Sequence, residues 1–220
     1  MKVGPADGFS LAPVVTGPLD YPEDSNEFIW AGIDPGKSGY AVAVRPDATI
    51  ETWKAPVDAE NDYILADMIQ VARALKSMGV WHVTLEAQQP TRLRPGQKNP
   101  NIANSAVRAS FMTGYGFACW EMALTAAGFR KIEKDEEAGG DTYALAWPSH
   151  WKKKMGITVP KDFKGVRETE VKNLARARAT AQWPNHDFRV SSRAHLPSPD
   201  QCEAALLALY GMGRYFRDDV

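Results

Sequence analysis

Cysteine is scarce in this chain: 220 residues hold two, Cys119 and Cys202. They stand far apart and lack metal-ligand spacing, so they read as two buried thiols in a reducing compartment. Histidine is sparse too, and the four, His82, His150, His186 and His195, show no zinc spacing. No run of 18 apolar residues exists, so no membrane span is expected. The start, MKVGPADGFSLAPVV, has one Lys and no long apolar run, which makes it a poor signal peptide. No internal repeat or low-complexity block stands out, and no motif supports His/Ser/Asp triad chemistry. Charge of one sign is also lacking. The formal net charge is −1, which taken alone argues against a nucleic-acid partner.

What is present is a composition for one ordinary domain: 44% hydrophobic and 24% charged residues, enough for a real core. The charge is sorted along the chain. Residues 1–27 carry Lys2 against Asp7, Asp20, Glu23, Asp24 and Glu27, with Pro, Gly and no periodicity, and read as a disordered acidic tail. Residues 87–120 carry Arg92, Arg94, Lys98 and Arg108 and no acid. Residues 150–180 carry nine Lys/Arg against Asp162, Glu168 and Glu170. Such sorting can build a polyanion-binding face on a neutral protein, or it can be solvated loops and helix faces.

Periodicity predicts an α/β order. FIWAGID (28–34) is an apolar run ending in an acid, GYAVAV (39–44) its hairpin partner, and TIETW (49–53) the third strand of a meander. Helical spacing runs from about Asn61 to Met78, with Gly79 as C-cap. VWHVTLE (80–86) should return parallel to the first strand. A long basic loop, 87–105, leads to a helix from about Asn104 to Ala127. Gly114 and Gly116 inside it imply close packing or close approach of a partner. KIEKDEEAGGD reads as an acidic loop and TYALAWP (142–148) as a fifth strand. Helices follow from PSHWKKKMGI, from Val166 to Ala181, and from Pro199 to Phe216, the last with Asp200 in or near its cap.

AGIDPGKSGY (31–40) almost spells a P-loop. The first glycine of that motif is Ala31 here, and a strand rather than a helix follows Lys37-Ser38, so spacing and context both fail. Asp34 needs another account. It ends an apolar strand, as Glu86 does, and a charge there is costly unless it is paired or metal-bound. Asp200 and Glu203 share one face of the last helix at i, i+3. Four carboxylates converging would repel unless hard divalent cations sat among them. Two such ions are the usual device for in-line attack on a phosphodiester. Each acid also has a plainer reading: Asp34 as a turn residue, Glu86 as an exposed strand end, Asp200 as a helix cap.

At this point GIDPG (32–36), TLEAQ (84–88) and PDQCEAALLAL (199–209) together resemble the RuvC-type Holliday junction resolvases of the ribonuclease H-like superfamily. The likeness runs from about residue 28 to 216. WPSHWKK (147–153) resembles the phage and viral branch. The resemblance implies a ribonuclease H-like mixed five-stranded sheet with helices on both faces, forming a nuclease domain over 28–220. It implies a crossover junction endodeoxyribonuclease of the cytoplasm of a bacterium or phage-infected cell. A homodimer would nick two opposed strands of a four-way junction, leaving 5′-phosphate and 3′-hydroxyl ends. Asp34, Glu86, Asp200 and Glu203 match the four acidic positions, where Mg²⁺ or Mn²⁺, two per site, would bind. Lys152 and Lys153 match lysines that assist at the phosphate, and Lys164 is a further match. DNA contacts would come from Arg92, Arg94, Lys98, Lys152, Lys153 and Lys164.

Bacterial members carry an aromatic residue just after the second acid; this chain has AQQP there. That leaves a second reading open, a nuclease for flaps, forks or duplex with the same metal site. A third is an inactive junction-binding protein. A fourth, an actin-like phosphotransferase, needs a second domain for which 220 residues leave little room. Trp30, Trp53, Trp81 and Trp120 read as core, whereas Trp151 beside three lysines is weighed for the DNA surface. His195 lies five residues before the last acidic pair, either near the site or structural.

Overall fold

The computed structural model of the chain describes residues 27–88, 100–133, 136, 138–160 and 162–216, with backbone only for 100–109 and 214–216. The expected tail, apart from residue 27, and residues 89–99 of the expected basic loop, with Arg92, Arg94 and Lys98, lie outside these residues. The strands are β1 (Ile29–Ile33), β2 (Tyr40–Val44), β3 (Ile50–Lys54), β4 (Val80–Glu86), β5 (Arg130–Lys131) and β6 (Thr142–Ala146). The helices are α1 (Leu65–Ser77), α2 (Pro100–Ala126), α3 (Pro148–Lys154), α4 (Arg167–Gln182) and α5 (Pro199–Phe216). Among the described residues, no helix is long and apolar enough to cross a membrane.

The sheet runs β3-β2-β1-β4-β6-β5. β1 to β3 form the antiparallel meander, and β4 lies parallel to β1. β6 is parallel to β4, and β5 to β6. This is the mixed α/β sheet anticipated above, with one correction. It has six strands, because the two-residue strand β5 runs into the first residue of the segment read as an acidic loop. Two exposed basic residues at an edge give no apolar alternation to detect. The first helix also begins later than its periodicity suggested, at Leu65, and α2 begins earlier, at Pro100.

Alternation along the strands divides the core in two. Ala31, Ile33, Ala41, Ala43, Val83 and Leu85 face α1 and α2, with Met68, Leu75, Trp120 and Leu124. Trp30, Val42 and Val44 face the other side, with Trp151, Ala175, Ala204, Leu207 and Ala208 of α3, α4 and α5. Trp53 and Trp81, expected in the core, are half-buried against its margins. The same period of two sends Asp34 and Glu86, one step beyond the Ile33–Leu85 pair, towards α5.

α5 lies almost on the backbone of the sheet. Every residue from Gln201 to Leu209 is buried. A Cβ added to Gly32 of β1 would stand 2.1 Å from the Ala204 carbonyl oxygen and 2.5 Å from the Ala208 amide. A Cβ on Gly211 of the helix would stand 2.0 Å from Thr84 Oγ1 of β4. Gly116 has the corresponding role in α2, where the Tyr63 ring fills the space a side chain would take. Gly32→Ala should therefore push α5 off β1. Overpacking of this kind costs about 1–3 kcal/mol, or roughly 2–12 °C in Tm for a domain of this size. Thermal melts of the two proteins check it, and an unchanged Tm would refute so close a contact.

Candidate active site

The turn after β1 brings Asp34 into place. Its amide donates to the Tyr40 carbonyl at 3.0 Å, and its Oδ1 accepts from the Gly36 amide at 3.0 Å. Asp34 is thus a turn residue that keeps a carboxylate oxygen to spare, since an Asx turn uses one oxygen and leaves the other. Tyr63 holds the turn from the far side by donating to the Pro35 carbonyl at 3.0 Å. Lys37, the residue of the near-P-loop, is engaged by the Asn61 carbonyl and Asp62 and lies against the Tyr63 ring. β2 begins three residues later, so no helix N-terminus faces a phosphate there.

Glu86 closes β4 and is 7% exposed. Its Oε1 accepts from the indole Nε1 of Trp151 at 3.0 Å, and its Oε2 from Gln88 Nε2 at 3.3 Å. Asp200 and Glu203 arrive on α5. Ser198 precedes the helix, and its carbonyl accepts from the Cys202 amide while its hydroxyl accepts from the Gln201 amide. Capping therefore falls to Ser198, and Asp200 is free to face the sheet edge. Glu203, also 7% exposed, accepts from Lys152 Nζ at 2.6 Å. That ammonium stands 3.7 Å from Glu86 Oε1, so it bridges β4 and α5.

Asp34, Glu86, Asp200, Glu203 and Lys152 are thus brought together. Lys153, the next residue of α3, is exposed, as is Lys164, for which no contact with the acids exists among the described residues. His195 is exposed. Trp151, weighed for the DNA surface, is fully buried at 0% exposure. Its apolar body completes the core beneath α3 while its one polar atom reaches Glu86. One residue was missed: Lys172 of α4, whose Nζ is 4.0 Å from Asp200 Oδ1. It belongs to the basic run 150–180, but only the packing of α4 on α5 shows which of those cations turns inward.

The electrostatics are those of a site short of positive charge. Burial, then the charge of Glu86 and more weakly those of Glu203 and Asp200, push the Asp34 carboxyl up to about 8 against the opposing Gly36 hydrogen bond. Burial likewise raises Glu86, with Lys152 opposing. Burial would lower Lys152, but Glu86 and Glu203 outweigh it and the ammonium is held protonated. The donors are all carboxylate oxygens, the hard set that suits Mg²⁺ or Mn²⁺. As the side chains stand, no three acids among the described residues clasp one point, and Lys152 supplies the local cation.

A carboxyl raised from 3.8 to about 8 on folding adds stability that is complete below pH 4 and is lost as pH rises towards 8. In EDTA, Asp34→Asn should therefore melt above wild type at pH 8, with the two curves converging near pH 4. Melts across that range read the difference directly. A variant that is less stable at pH 8 would contradict the repulsion.

No family model matches the chain, and no curated protein does. Among solved structures, the chain is similar to Thermus thermophilus RuvC in complex with a Holliday junction substrate. The TM-score is 0.44 at 16% identity, over 83% of this chain and 91% of that one. It is similar also to a second Thermus thermophilus RuvC structure, with TM-score 0.43 and 17% identity, over 83% and 92%. At this identity and score the two structures are neighbours in outline, and the roles of the residues here are argued from their own geometry.

Proposed function

We propose that the chain is a divalent-metal-dependent, structure-selective DNA endonuclease that cleaves four-way junctions by paired phosphodiester hydrolysis. The observation that carries the chemistry is the meeting of Asp34, Glu86, Asp200 and Glu203 at the carboxyl edge of β1 and β4, with Asp34 pushed up to about 8. In this reading those four carboxylates hold Mg²⁺ or Mn²⁺, two per site. The bound charge supplies activation of the attacking water and stabilisation of the leaving oxygen. Lys152 keeps a proton and presents it at the rim of the acids, where a phosphate oxygen of the substrate would find it. Lys172 is a second cation for that purpose. Lys153 and Lys164, together with Arg92, Arg94 and Lys98, contact flanking phosphates.

Paired cutting calls for two sites related by a twofold axis. Of the two helices that cover the other face of the sheet, α1 and α2, α2 is the better supported. Its outer positions Phe111, Gly114, Tyr115, Ala118, Met122 and Thr125 are exposed and uncharged. Phe111 is 69%, Tyr115 44% and Met122 57% exposed, and the rings of Phe111 and Tyr115 stack at 6.4 Å. The exposed positions of α1 include Asp67, Gln70, Arg73 and Ser77, an ordinary wet surface. A face as apolar as that of α2 belongs to an interface.

Two experiments test the reading. An immobile four-way junction and a linear duplex of matching sequence are incubated with wild type and Asp34→Asn, in Mg²⁺, Mn²⁺ or EDTA. Symmetric nicks on the junction alone, lost in EDTA and in the variant, are the expected result. Equal cutting of both DNAs would move the assignment to a less selective duplex, flap or fork nuclease. Binding without cutting would move it to the inactive junction-binding class. For the dimer, Met122→Glu should leave the Tm near that of wild type and convert the protein to a monomer in sedimentation. A dimer that survives this change with Phe111→Glu added would exclude α2.

A further inference from the structure

Trp151 is a deeply buried aromatic side chain whose polar atom meets the acidic group. Burial alone does not demand that contact. Trp120 and Trp183 are as buried, and neither indole nitrogen has a hydrogen-bond partner among the described residues. At residue 151, by contrast, the N–H is spent on Glu86 Oε1 at 3.0 Å. The ring has a second contact of consequence: Lys152 Nζ lies 5.1 Å from its centroid, within the range in which an aromatic face attracts an ammonium. One rigid side chain thus touches both the carboxylate of β4 and the cation that bridges it to Glu203 of α5.

From this geometry we infer that Trp151 is a positioning residue of the active site, fixing Glu86 for metal and Lys152 for phosphate. The inference rests on the metal-site reading above. The indole donor binds one defined oxygen, Oε1, and Gln88 engages the other at 3.3 Å, so the carboxylate cannot rotate without breaking a hydrogen bond. Partners of this kind behind a metal-binding carboxylate are worth about 10- to 100-fold in metal affinity or activity. α3 starts at Pro148 immediately after β6, and β6 is registered with β4 at Glu86–Ala146, so the indole is delivered by backbone pairing. The apolar neighbours Met155, Ile157 and Leu206 share its core and hold the ring in place.

The test separates the contact from its consequence. In metal-free protein labelled with ¹⁵N-tryptophan, Glu86→Gln should shift the indole N–H resonance of residue 151, identified by its loss in Trp151→Phe. An unmoved resonance would overturn the contact. Mn²⁺ affinity is then measured by calorimetry and by the electron paramagnetic resonance of free Mn²⁺. Trp151→Phe keeps a ring face for Lys152 and removes the donor, and should weaken Mn²⁺ about 10-fold or more. The kcat on a junction should fall, with KM for DNA little changed. If that variant fails to fold, 3-benzothienylalanine at position 151 keeps the shape of indole without its N–H and takes its place. A folded variant with wild-type Mn²⁺ affinity would overturn the inference. Wild-type protein that binds no Mn²⁺ would instead refute the metal reading itself, while leaving the resonance shift intact.

Discussion

Everything in this molecule hangs on how closely α5 can approach β1 and β4. Helices usually stand off from a sheet because side chains intervene. Here Gly32 removes the side chain on the strand and Gly211 removes it on the helix. Ala204, Ala205 and Ala208 keep the rest of the contact shallow. The gain is positional. Asp200 and Glu203 sit in the first turn and a half of α5, so lowering the helix onto the sheet lowers both acids to the edge where β1 and β4 end. A methyl group added at Gly32 or Gly211 would meet the facing helix or strand, and the two would have to part.

That approach creates an electrostatic problem, and the surrounding structure answers it in part. Three turns of chemistry converge: the Asx turn at Asp34, the end of a buried strand at Glu86 and the start of a helix at Asp200 and Glu203. Each is locally comfortable; their sum is not. Lys152 bridges two of the acids and Lys172 approaches a third, while Asp34 keeps a backbone amide as its partner and is driven up to about 8. Two strands end and a helix begins at this edge, and a carboxyl driven that far up there is the perturbation that marks a candidate functional site. The neighbouring tryptophan belongs to the same arrangement, because an indole can deliver a hydrogen bond from within an apolar core and leave no charge there.

Much of this was legible in the order of residues. The apolar runs ending in Asp34 and Glu86, the i, i+3 pair on the last helix and the meander before the first helix all follow from periods of two and 3.6. The strand read over 80–86 and the helix over 199–216 stand at those bounds. Less was legible wherever meaning depends on a partner distant in the chain. β5 is two basic residues that become a strand only because β6 lies beside them. Trp151 sits among lysines and looks like surface, but α3 turns its opposite side to the core. Lys172 is one cation among nine in its stretch until α4 docks on α5.

The sequence by itself determined the alternation that sends Asp34 and Glu86 to the same side of the sheet, the small residues that let a helix come close, and the four acids themselves. Those are local properties, carried by spacing and side-chain volume. Only the tertiary structure decided which cations meet which acids, that Ser198 rather than Asp200 caps α5, and that an indole reaches Glu86 from residue 151. Among the described side chains it also left α2 with an uncharged outer face while α1 shows a charged one. These outcomes depend on which faces of α2, α3, α4 and α5 turn inward. That choice is made by the packing of whole layers against the sheet, which no local pattern encodes.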